Sequence, residues 1–177
     1  MSLSDWHQAQ KEFYDETADE YGENFEQGNP YFDFVVEHYL EATACKPGDR
    51  ILEIGASGGR FTTPLLERGC KVTAVDISAK SLQYLGQRVA DHPKRLDLTL
   101  VEDDASVFEK LAERDFDTVA GAHVLHNVED IRKVLAQLHG RLRAGGRAVF
   151  RSLERWAERC GSLPRLFTLN LFVARKA

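Results

Sequence analysis

A glycine-rich segment, Glu53-Ile-Gly55-Ala-Ser57-Gly58-Gly59-Arg60, follows a run of apolar residues and can form a ligand-binding turn. Glycine lets the backbone adopt left-handed conformations, and N–H groups at the start of a following helix bind polar ligands. A dinucleotide fingerprint needs glycine at 55, 57 and 60, and only Gly55 fits. Glu53 would also repel a pyrophosphate, so the turn suits a ligand that carries positive charge.

Acidic residues follow the next two predicted strands. Asp76 lies 21 positions after Gly55, where a carboxylate accepts hydrogen bonds from ribose hydroxyls in nucleotide-binding folds. Asp103, Asp104 and Ala105 follow the third strand, and a carboxylate there can accept from an exocyclic amine such as adenine N6. Each of these carboxylates alone can instead cap a helix. The spacing of Asp76 from the glycine turn favours a ligand site.

Small residues and two histidines follow the fourth predicted strand, in Gly121-Ala122-His123 and His126-Asn127. The small residues leave room for the polar end of a ligand. His126 is the candidate general base, and the alternative is a histidine hydrogen-bonded in the wall of the site. No third ligand lies at a familiar spacing from His123 and His126, so we predict no metal site.

The elements that position these residues alternate from residue 50 onward, which predicts an α/β fold with a doubly wound, mostly parallel, Rossmann-like sheet and helices on both faces. Ligands of such sheets bind beyond the carboxyl ends of the strands. The predicted strands cover residues 50–55, 71–76, 96–101, 117–121 and 147–151, with an antiparallel last strand over 167–175. The first predicted helix covers residues 60–68, and the second is capped by Ser78 and buries Leu82, Leu85 and Val89. A short third helix runs through Val107, Phe108 and Leu111. The fourth is capped by Asp130, stops at Gly145-Gly146, and buries Ile131, Val134, Leu138 and Leu142.

The first 45 residues are aromatic and acidic, and they predict helices over 6–21 and 30–42. We expect residues 1–45 to form an N-terminal helical lid or cap on a domain of residues 46–177, within one globular unit. Tyr14 and Tyr21 are seven positions apart, so they share one face of a helix. The acidic residues around them are too polar for the core and are expected to repel one another.

Composition excludes several classes of protein. Hydrophobic residues make up 43% and charged residues 29% of 177 residues, which is typical of a globular chain. No apolar run is long enough for a transmembrane helix and no apolar signal core is present, which predicts a cytoplasmic protein. The three cysteines Cys45, Cys70 and Cys160 are far apart, which indicates reduced thiols. The net charge of −5 argues against a general nucleic-acid binder, although residues 131–177 are basic.

Five motifs in order resemble class I S-adenosylmethionine-dependent methyltransferases, from about Arg50 to Arg151. Upstream, Tyr14-Asp-Glu-Thr-Ala-Asp-Glu-Tyr21 looks like the entrance helix of the small-molecule branch of that family. The motifs are Glu53-x-Gly55-x-Ser57-x-Gly59, Asp76, Asp103-Asp104-Ala105, Phe116 to Asn127, and Leu142 to Phe150.

The resemblance implies S-adenosylmethionine as the cofactor and a role for each matching residue. Glu53, Ser57 and Gly59 belong to the turn, with Gly55 and Ala56 bordering the methionine part. Asp76 takes the ribose hydroxyls, with Ile77 against the adenine, and Asp104 and Ala105 meet the adenine edge. Ala122 borders the methionine end, and Tyr14 and Tyr21 close over it. The positive sulfonium agrees with the acidic turn.

Two features depart from the family's pattern. Ser57 replaces the usual middle glycine and narrows the turn. The region between Arg151 and Leu166 is short where the family usually carries a helix, a strand and often an acceptor-binding insertion. This predicts a shortened C-terminal region. Arg151, Arg155 and Arg159 share one helix face, which is either solvated or an anchor for an anionic acceptor.

These observations predict methyl transfer to a small-molecule acceptor at oxygen, carbon or nitrogen. The alternatives are an RNA or protein methyltransferase, which the basic C-terminal region supports, and a non-catalytic protein that binds S-adenosylmethionine or S-adenosylhomocysteine. The partners expected are the small acceptor, with an anionic one as an option, and no membrane or nucleic acid.

Overall fold

The computed structural model describes residues 5–19, 30–153 and 169–176. Six strands form one sheet, in the order β3-β2-β1-β4-β5-β6. The strands are β1 (Arg50–Ile54), β2 (Lys71–Asp76), β3 (Leu98–Glu102), β4 (Phe116–Ala122), β5 (Leu142–Leu153) and β6 (Leu169–Arg175). The helices are α1 (Asp5–Glu16), α2 (Pro30–Thr43), α3 (Thr62–Glu67), α4 (Ala79–Arg88) and α5 (Ile131–His139), with 3₁₀ turns at Arg95–Asp97 and Leu125–Asn127.

The strand pairs are parallel except for β5 with β6, which is antiparallel. The doubly wound, Rossmann-like prediction and its antiparallel last strand are therefore confirmed. The chain order reverses between β1 and β4, which is the point where ligands bind in such sheets.

Apolar side chains cover both faces of the sheet, because successive residues of a strand point to opposite sides. On one face, Ile51 packs in a cluster with α2, α3 and α4, and on the other Leu52 packs in a cluster with α5. Helix α2 is part of the first cluster through Val35 and the fully buried Tyr39.

Two helix N-termini were located correctly from their capping residues. The Ser78 side chain accepts a hydrogen bond from the Ser81 N–H at 3.0 Å, and the Asp130 side chain accepts from the Lys133 N–H at 3.0 Å. Leu82, Leu85 and Val89 are buried behind the first cap, as predicted.

The predicted short helix through Val107, Phe108 and Leu111 is wrong, since these residues form a loop. The buried Asp103 carboxylate accepts four backbone hydrogen bonds, from the N–H groups of residues 104, 109, 110 and 111. Phe108 also adopts a left-handed φ of 53°, which a helix does not allow. A side chain that satisfies so many N–H groups replaces the helical ladder.

The predicted end of the helix behind Asp130 is also wrong. Helix α5 ends at His139 with Gly140 as its C-cap, and Gly145-Gly146 lie within β5, where the register with β4 shifts between Phe116 and Thr118. Leu142 begins β5, and Ile131 is exposed. The Gly145 N–H donates to the Lys176 carbonyl at 3.0 Å, so the residue that follows β6 fixes this pair of glycines in place.

Other predicted boundaries shift by a few residues. Helix α3 is shorter than the predicted 60–68, and β3 begins at Leu98 because Leu96, at 90% exposure, lies in a 3₁₀ turn. In the described part of the chain, no helix combines the length and apolarity needed to cross a membrane.

Candidate functional site

The glycine turn lies at the carboxyl end of β1, at the reversal of strand order. Gly55, Ser57 and Gly59 all adopt left-handed conformations, with φ values of 67°, 47° and 85°. A Cβ atom on Gly55 would lie 2.9 Å from the Val124 side chain, and one on Gly59 would lie 2.3 Å from Leu85 Cδ1. The turn therefore requires glycine at both positions, and Ser57 holds a conformation that favours glycine.

Backbone hydrogen bonds attach this turn to β2. The N–H groups of Gly55 and Ala56 both donate to the Val75 carbonyl, at 2.8 and 3.2 Å. The Ser57 N–H donates to Asp76 Oδ2 at 2.8 Å, and the Ser78 N–H donates to Asp76 Oδ1 at 3.0 Å. Asp76 thus connects the turn after β1 to the loop after β2.

Burial raises the pKa of the Asp76 carboxyl, against the lowering effect of its backbone N–H donors. Asp76 is only partly buried as a residue, so a ligand can reach it. A carboxylate positioned in this way between two strand ends is suited to accept from hydroxyl groups of a ligand.

Glu53 lies inside the molecule instead of lining the turn's open side, with 2% of its surface exposed. Its Oε2 accepts a hydrogen bond from Thr62 Oγ1 at 2.6 Å. Burial raises the pKa of Glu53 to about 7, and the nearby Asp76 charge contributes to the rise. The group therefore changes protonation near neutral pH and responds to charge placed beside it.

The loop after β3 brings Asp104 and Ala105 to the same edge of the sheet. Asp104 Oδ1 accepts from the Ser106 N–H at 2.7 Å, and Ala105 packs against the apolar cluster on the α5 face. The neighbouring Asp103 shapes this loop with its four backbone hydrogen bonds, so its role is structural.

The end of β4 carries the two histidines. His123 has a left-handed φ of 56°, and its N–H donates to the Arg151 carbonyl at 2.8 Å. Burial, with the charges of Arg151, His126 and Arg60, lowers the pKa of His123 to about 4, so its ring is neutral at pH 7. His126 lies in the 3₁₀ turn and is exposed.

Ala122 and Arg151 pair in register at the ends of β4 and β5. Ala122 is partly buried against the cluster on the α2 face, and Arg151 is 2% exposed. Among the residues that the structure describes, no group of three side chains is arranged to hold a metal ion.

Helix α1 lies across the carboxyl ends of β2 and β3. Lys11 Nζ donates to the Ile77 carbonyl at 3.0 Å and to Glu102 Oε1 at 2.7 Å, and Ser78 Oγ donates to Asp15 Oδ1 at 2.6 Å. At the other end of the site, Asn127 Nδ2 donates to the Tyr14 hydroxyl at 2.8 Å.

These contacts correct the expectation that acidic side chains of the N-terminal segment only repel one another. Asp15 lies 3.6 Å from Lys11 Nζ, and Asp19 lies 3.5 Å from Lys80 Nζ. Tyr21 lies outside the described residues, as do Arg155 and Arg159.

Several residues of this site were not singled out from the sequence. Lys11 and Asp15 lie on either side of Tyr14 and are spaced i, i+4. This spacing indicates one polar face of a helix, and in the structure that face contacts the ends of β2 and β3. The contacts of Thr62 with Glu53 and of Asn127 with Tyr14 gave no such signal, because 9 and 113 residues separate the partners and neither spacing follows a known pattern.

Comparison with known proteins agrees with this geometry. A family model described as a methyltransferase domain matches residues 52–148, which contain the glycine turn, Asp76 and both histidines. The chain belongs to this methyltransferase family.

The relatives of this methyltransferase chain are longer than it is. A mitochondrial ubiquinone biosynthesis O-methyltransferase of Schizosaccharomyces pombe is 31% identical over 139 residues, which cover 78% of this chain and 48% of the relative. The ubiquinone biosynthesis O-methyltransferase of Idiomarina loihiensis is 27% identical, and the match covers 61% of this chain and 44% of the relative. The chain spans about half the length of the curated relatives it matches.

A solved structure shares the fold over most of both chains. The N-methyltransferase NodS from Bradyrhizobium japonicum WM9, in complex with S-adenosyl-L-homocysteine, is 26% identical with a TM-score of 0.65. The match covers 76% of this chain and 69% of that one. The resemblance to class I S-adenosylmethionine-dependent methyltransferases is therefore confirmed.

Proposed function

We propose that this chain binds S-adenosylmethionine and transfers its methyl group to a small-molecule acceptor. One observation carries the proposal: the left-handed turn of Gly55 and Ser57, beside the reversal of strand order, is hydrogen-bonded to Asp76 at the end of β2. This arrangement brings the partly buried residues Gly55 and Ser57 and a carboxylate to one edge. Glu53 lies directly behind them and favours positive charge.

Each part of the cofactor has residues suited to it. Asp76 accepts from the ribose hydroxyls, and Ile77 lies against the adenine. The adenine edge faces Asp104 and Ala105. The turn residues Gly55, Ala56, Ser57 and Gly59 with Ala122 surround the methionine part, and Glu53 lies buried behind the turn. Tyr14, held by Asn127, covers this end from above, and Tyr21 belongs to the same proposed cover.

The chemistry asks little of the protein beyond alignment. The bound sulfonium supplies an activated methyl group, so the chain's residues hold two reactants in line and exclude water. A hydroxyl acceptor needs a base, for which His126 is our candidate. His123 directly follows β4, is more buried than His126 and is neutral at pH 7, so it is the second candidate base to test.

The acceptor class follows from relatives and from charge. The relatives' names, ubiquinone biosynthesis O-methyltransferase and N-methyltransferase, support a small hydroxyl or amine compound. Arg60 and Arg151 bring positive charge to the His123 end of the site, which favours an acceptor with a carboxylate or phosphate.

A second function, binding without turnover, is supported by the connection between β5 and β6. Residues 154–168 are few for the acceptor-binding insertion that many methyltransferases carry. In that case the chain reports on the level of the cofactor or its demethylated product.

A methyl-transfer assay with isotopically labelled S-adenosylmethionine separates these functions. The acceptor panel contains catechols, primary amines and hydroxylated carboxylates, with RNA and protein as further arms. We expect label in a small acceptor, and a loss of label in Asp76→Ala. Cofactor binding without label in any arm supports the binding protein, and label in RNA or protein alone contradicts the small-molecule proposal.

A further inference from the structure

We infer that Cys45 and Cys70 form a redox-active dithiol at the amino-terminal edge of the sheet, which small disulfide oxidants convert to an intramolecular disulfide. Cys45 lies between α2 and β1, and Cys70 comes directly before β2. Both are free thiols, with Cys45 partly exposed and Cys70 fully buried. This site is separate from the cofactor site, which lies at the opposite, carboxyl ends of the strands, and does not depend on the proposed function.

The two connections that carry the cysteines are held together by their backbones. The Gly48 N–H donates to the Gly69 carbonyl at 2.8 Å, and the Lys71 N–H donates to the Asp49 carbonyl at 2.8 Å. Cys70 Sγ also lies 3.6 Å from the carbonyl oxygen of Lys46, the residue after Cys45. Since disulfides need Cα atoms within about 7 Å of each other, this neighbourhood permits a bond without large rearrangement.

The side chains meet within this neighbourhood. Cys70 lies in the apolar cluster on the α2 face, and Cys45 packs against the same cluster. The two side chains therefore share one packed neighbourhood, and we infer that side-chain rotation within it brings the sulfur atoms to bonding distance.

The two thiols differ in reactivity. The neighbouring Cys70 thiol lowers the pKa of Cys45 to about 6, with a contribution from the Arg68 charge. The same interaction and burial raise the pKa of Cys70. Cys45 is therefore the thiolate that attacks, and Cys70 is the protonated thiol that resolves the intermediate.

The oxidation balances with a small disulfide such as oxidised glutathione. The Cys45 thiolate attacks one of its sulfur atoms, its S–S bond breaks, and one glutathione thiolate leaves. Cys70 then loses its proton to water and attacks the Cys45 sulfur, which releases the second glutathione thiolate. The two protein thiols are oxidised to one disulfide, and one oxidised glutathione is reduced to two molecules of glutathione.

The bond would close residues 46–69 into a loop that contains β1, the glycine turn and α3. Cross-linking a loop of this size constrains the unfolded chain more than the folded one. We expect the oxidised protein to unfold at a temperature higher by roughly 5–10 °C than the reduced protein.

The test uses the full chain, reduced and then incubated with oxidised glutathione at pH 7. Free thiols are blocked by alkylation, and the peptides are analysed by mass spectrometry without reduction. We expect a cross-linked pair of peptides that contain Cys45 and Cys70, in the native chain and in the matched control Cys160→Ser. Cys45→Ser and Cys70→Ala lose this cross-link.

A second measurement on the native chain does not depend on variants that fold poorly. At pH 7 an alkylating reagent in limiting amount should label Cys45 faster than glutathione itself, a thiol whose pKa is close to the ordinary value. Equal rates, a cross-link that uses Cys160, or a Cys45–glutathione adduct that persists beside reduced Cys70 would each overturn the inference.

Discussion

At the scale of single residues, Asp76 and Glu53 carry the electrostatics of the site. Asp76 connects two loops through the N–H groups of Ser57 and Ser78 while remaining reachable at the surface. Glu53 is buried behind the turn, with only Thr62 donating to its carboxyl group within hydrogen-bonding distance among the described contacts. The first residue is suited to contact a ligand directly, and the second is suited to sense its charge.

Asp76→Ala should weaken cofactor binding by about 1.5–3 kcal/mol, because a charge-assisted pair to the ribose hydroxyls is lost. The measurement is calorimetric titration with S-adenosylhomocysteine. Asp117→Ala is the matched control, since Asp117 also accepts a backbone hydrogen bond, from the Arg50 N–H at 2.8 Å, but at the opposite edge of the sheet. Equal affinity in Asp76→Ala and the native chain would limit Asp76 to supporting the loops.

The pKa of Glu53, raised by burial to about 7, predicts a pH dependence of cofactor binding. A positive sulfonium nearby favours the ionised carboxylate, so binding should release a proton and affinity should rise as pH rises from 6 to 8. The rise approaches roughly tenfold for each unit by which the ligand lowers the pKa.

The control ligand for this dependence is S-adenosylhomocysteine, which lacks the sulfonium charge, and the control variant is Glu53→Gln. Both should flatten the pH profile measured by titration. A profile that stays as steep in Glu53→Gln would assign the dependence to another group.

At the scale of elements, helix α1 is the part that we propose to act as a lid. Its contacts are polar and lie near the surface, through Lys11, Tyr14 and Asp15. Exposed ion pairs of this kind contribute about 0–1 kcal/mol each, so the helix can open at modest cost. Helix α2, by contrast, packs in the core through Tyr39.

Amide hydrogen exchange tests the lid. Residues 6–19 should exchange quickly in the free chain and more slowly with S-adenosylhomocysteine bound, while the amides of α2 should be protected equally in both states. Tyr14→Phe, which keeps the ring but loses the hydroxyl that Asn127 contacts, should reduce the protection gained. Equal protection of residues 6–19 with and without ligand would contradict the lid.

The sequence predicted the elements that follow a simple period or carry a cap, such as α4 behind Ser78 and the parallel strands. It failed where side-chain or long-range contacts that follow no short sequence pattern decide the local structure. Asp103 turns residues 104–111 into a loop, and backbone hydrogen bonds with Lys176 hold Gly145-Gly146 within β5. The same limit hid Thr62 and Asn127, whose roles depend on Glu53 and Tyr14.

At the scale of the whole molecule, one sheet separates two kinds of chemistry. The carboxyl edge carries the glycine turn, Asp76 and the histidines, and the amino-terminal edge carries the Cys45–Cys70 pair. Because the strands between them are buried and continuous, changes at one edge can be made without touching ligand contacts at the other. Oxidation of the dithiol should therefore be separable from cofactor binding in experiments.

The glycine turn also predicts which nucleotides do not bind. Ser57 and Arg60 occupy positions where a dinucleotide fold needs glycine, and Glu53 opposes a pyrophosphate. Neither NAD nor NADP should give saturable heat in a calorimetric titration at micromolar concentration. Saturable binding of either would overturn the assignment of the glycine turn.

The most direct test of the central claim is titration of the full chain with S-adenosylmethionine, measured by calorimetry. We predict saturable binding with one ligand per chain, weakened in Asp76→Ala and unchanged in Asp117→Ala. No saturable heat with S-adenosylmethionine or S-adenosylhomocysteine, from a chain that is folded by circular dichroism, would contradict the account.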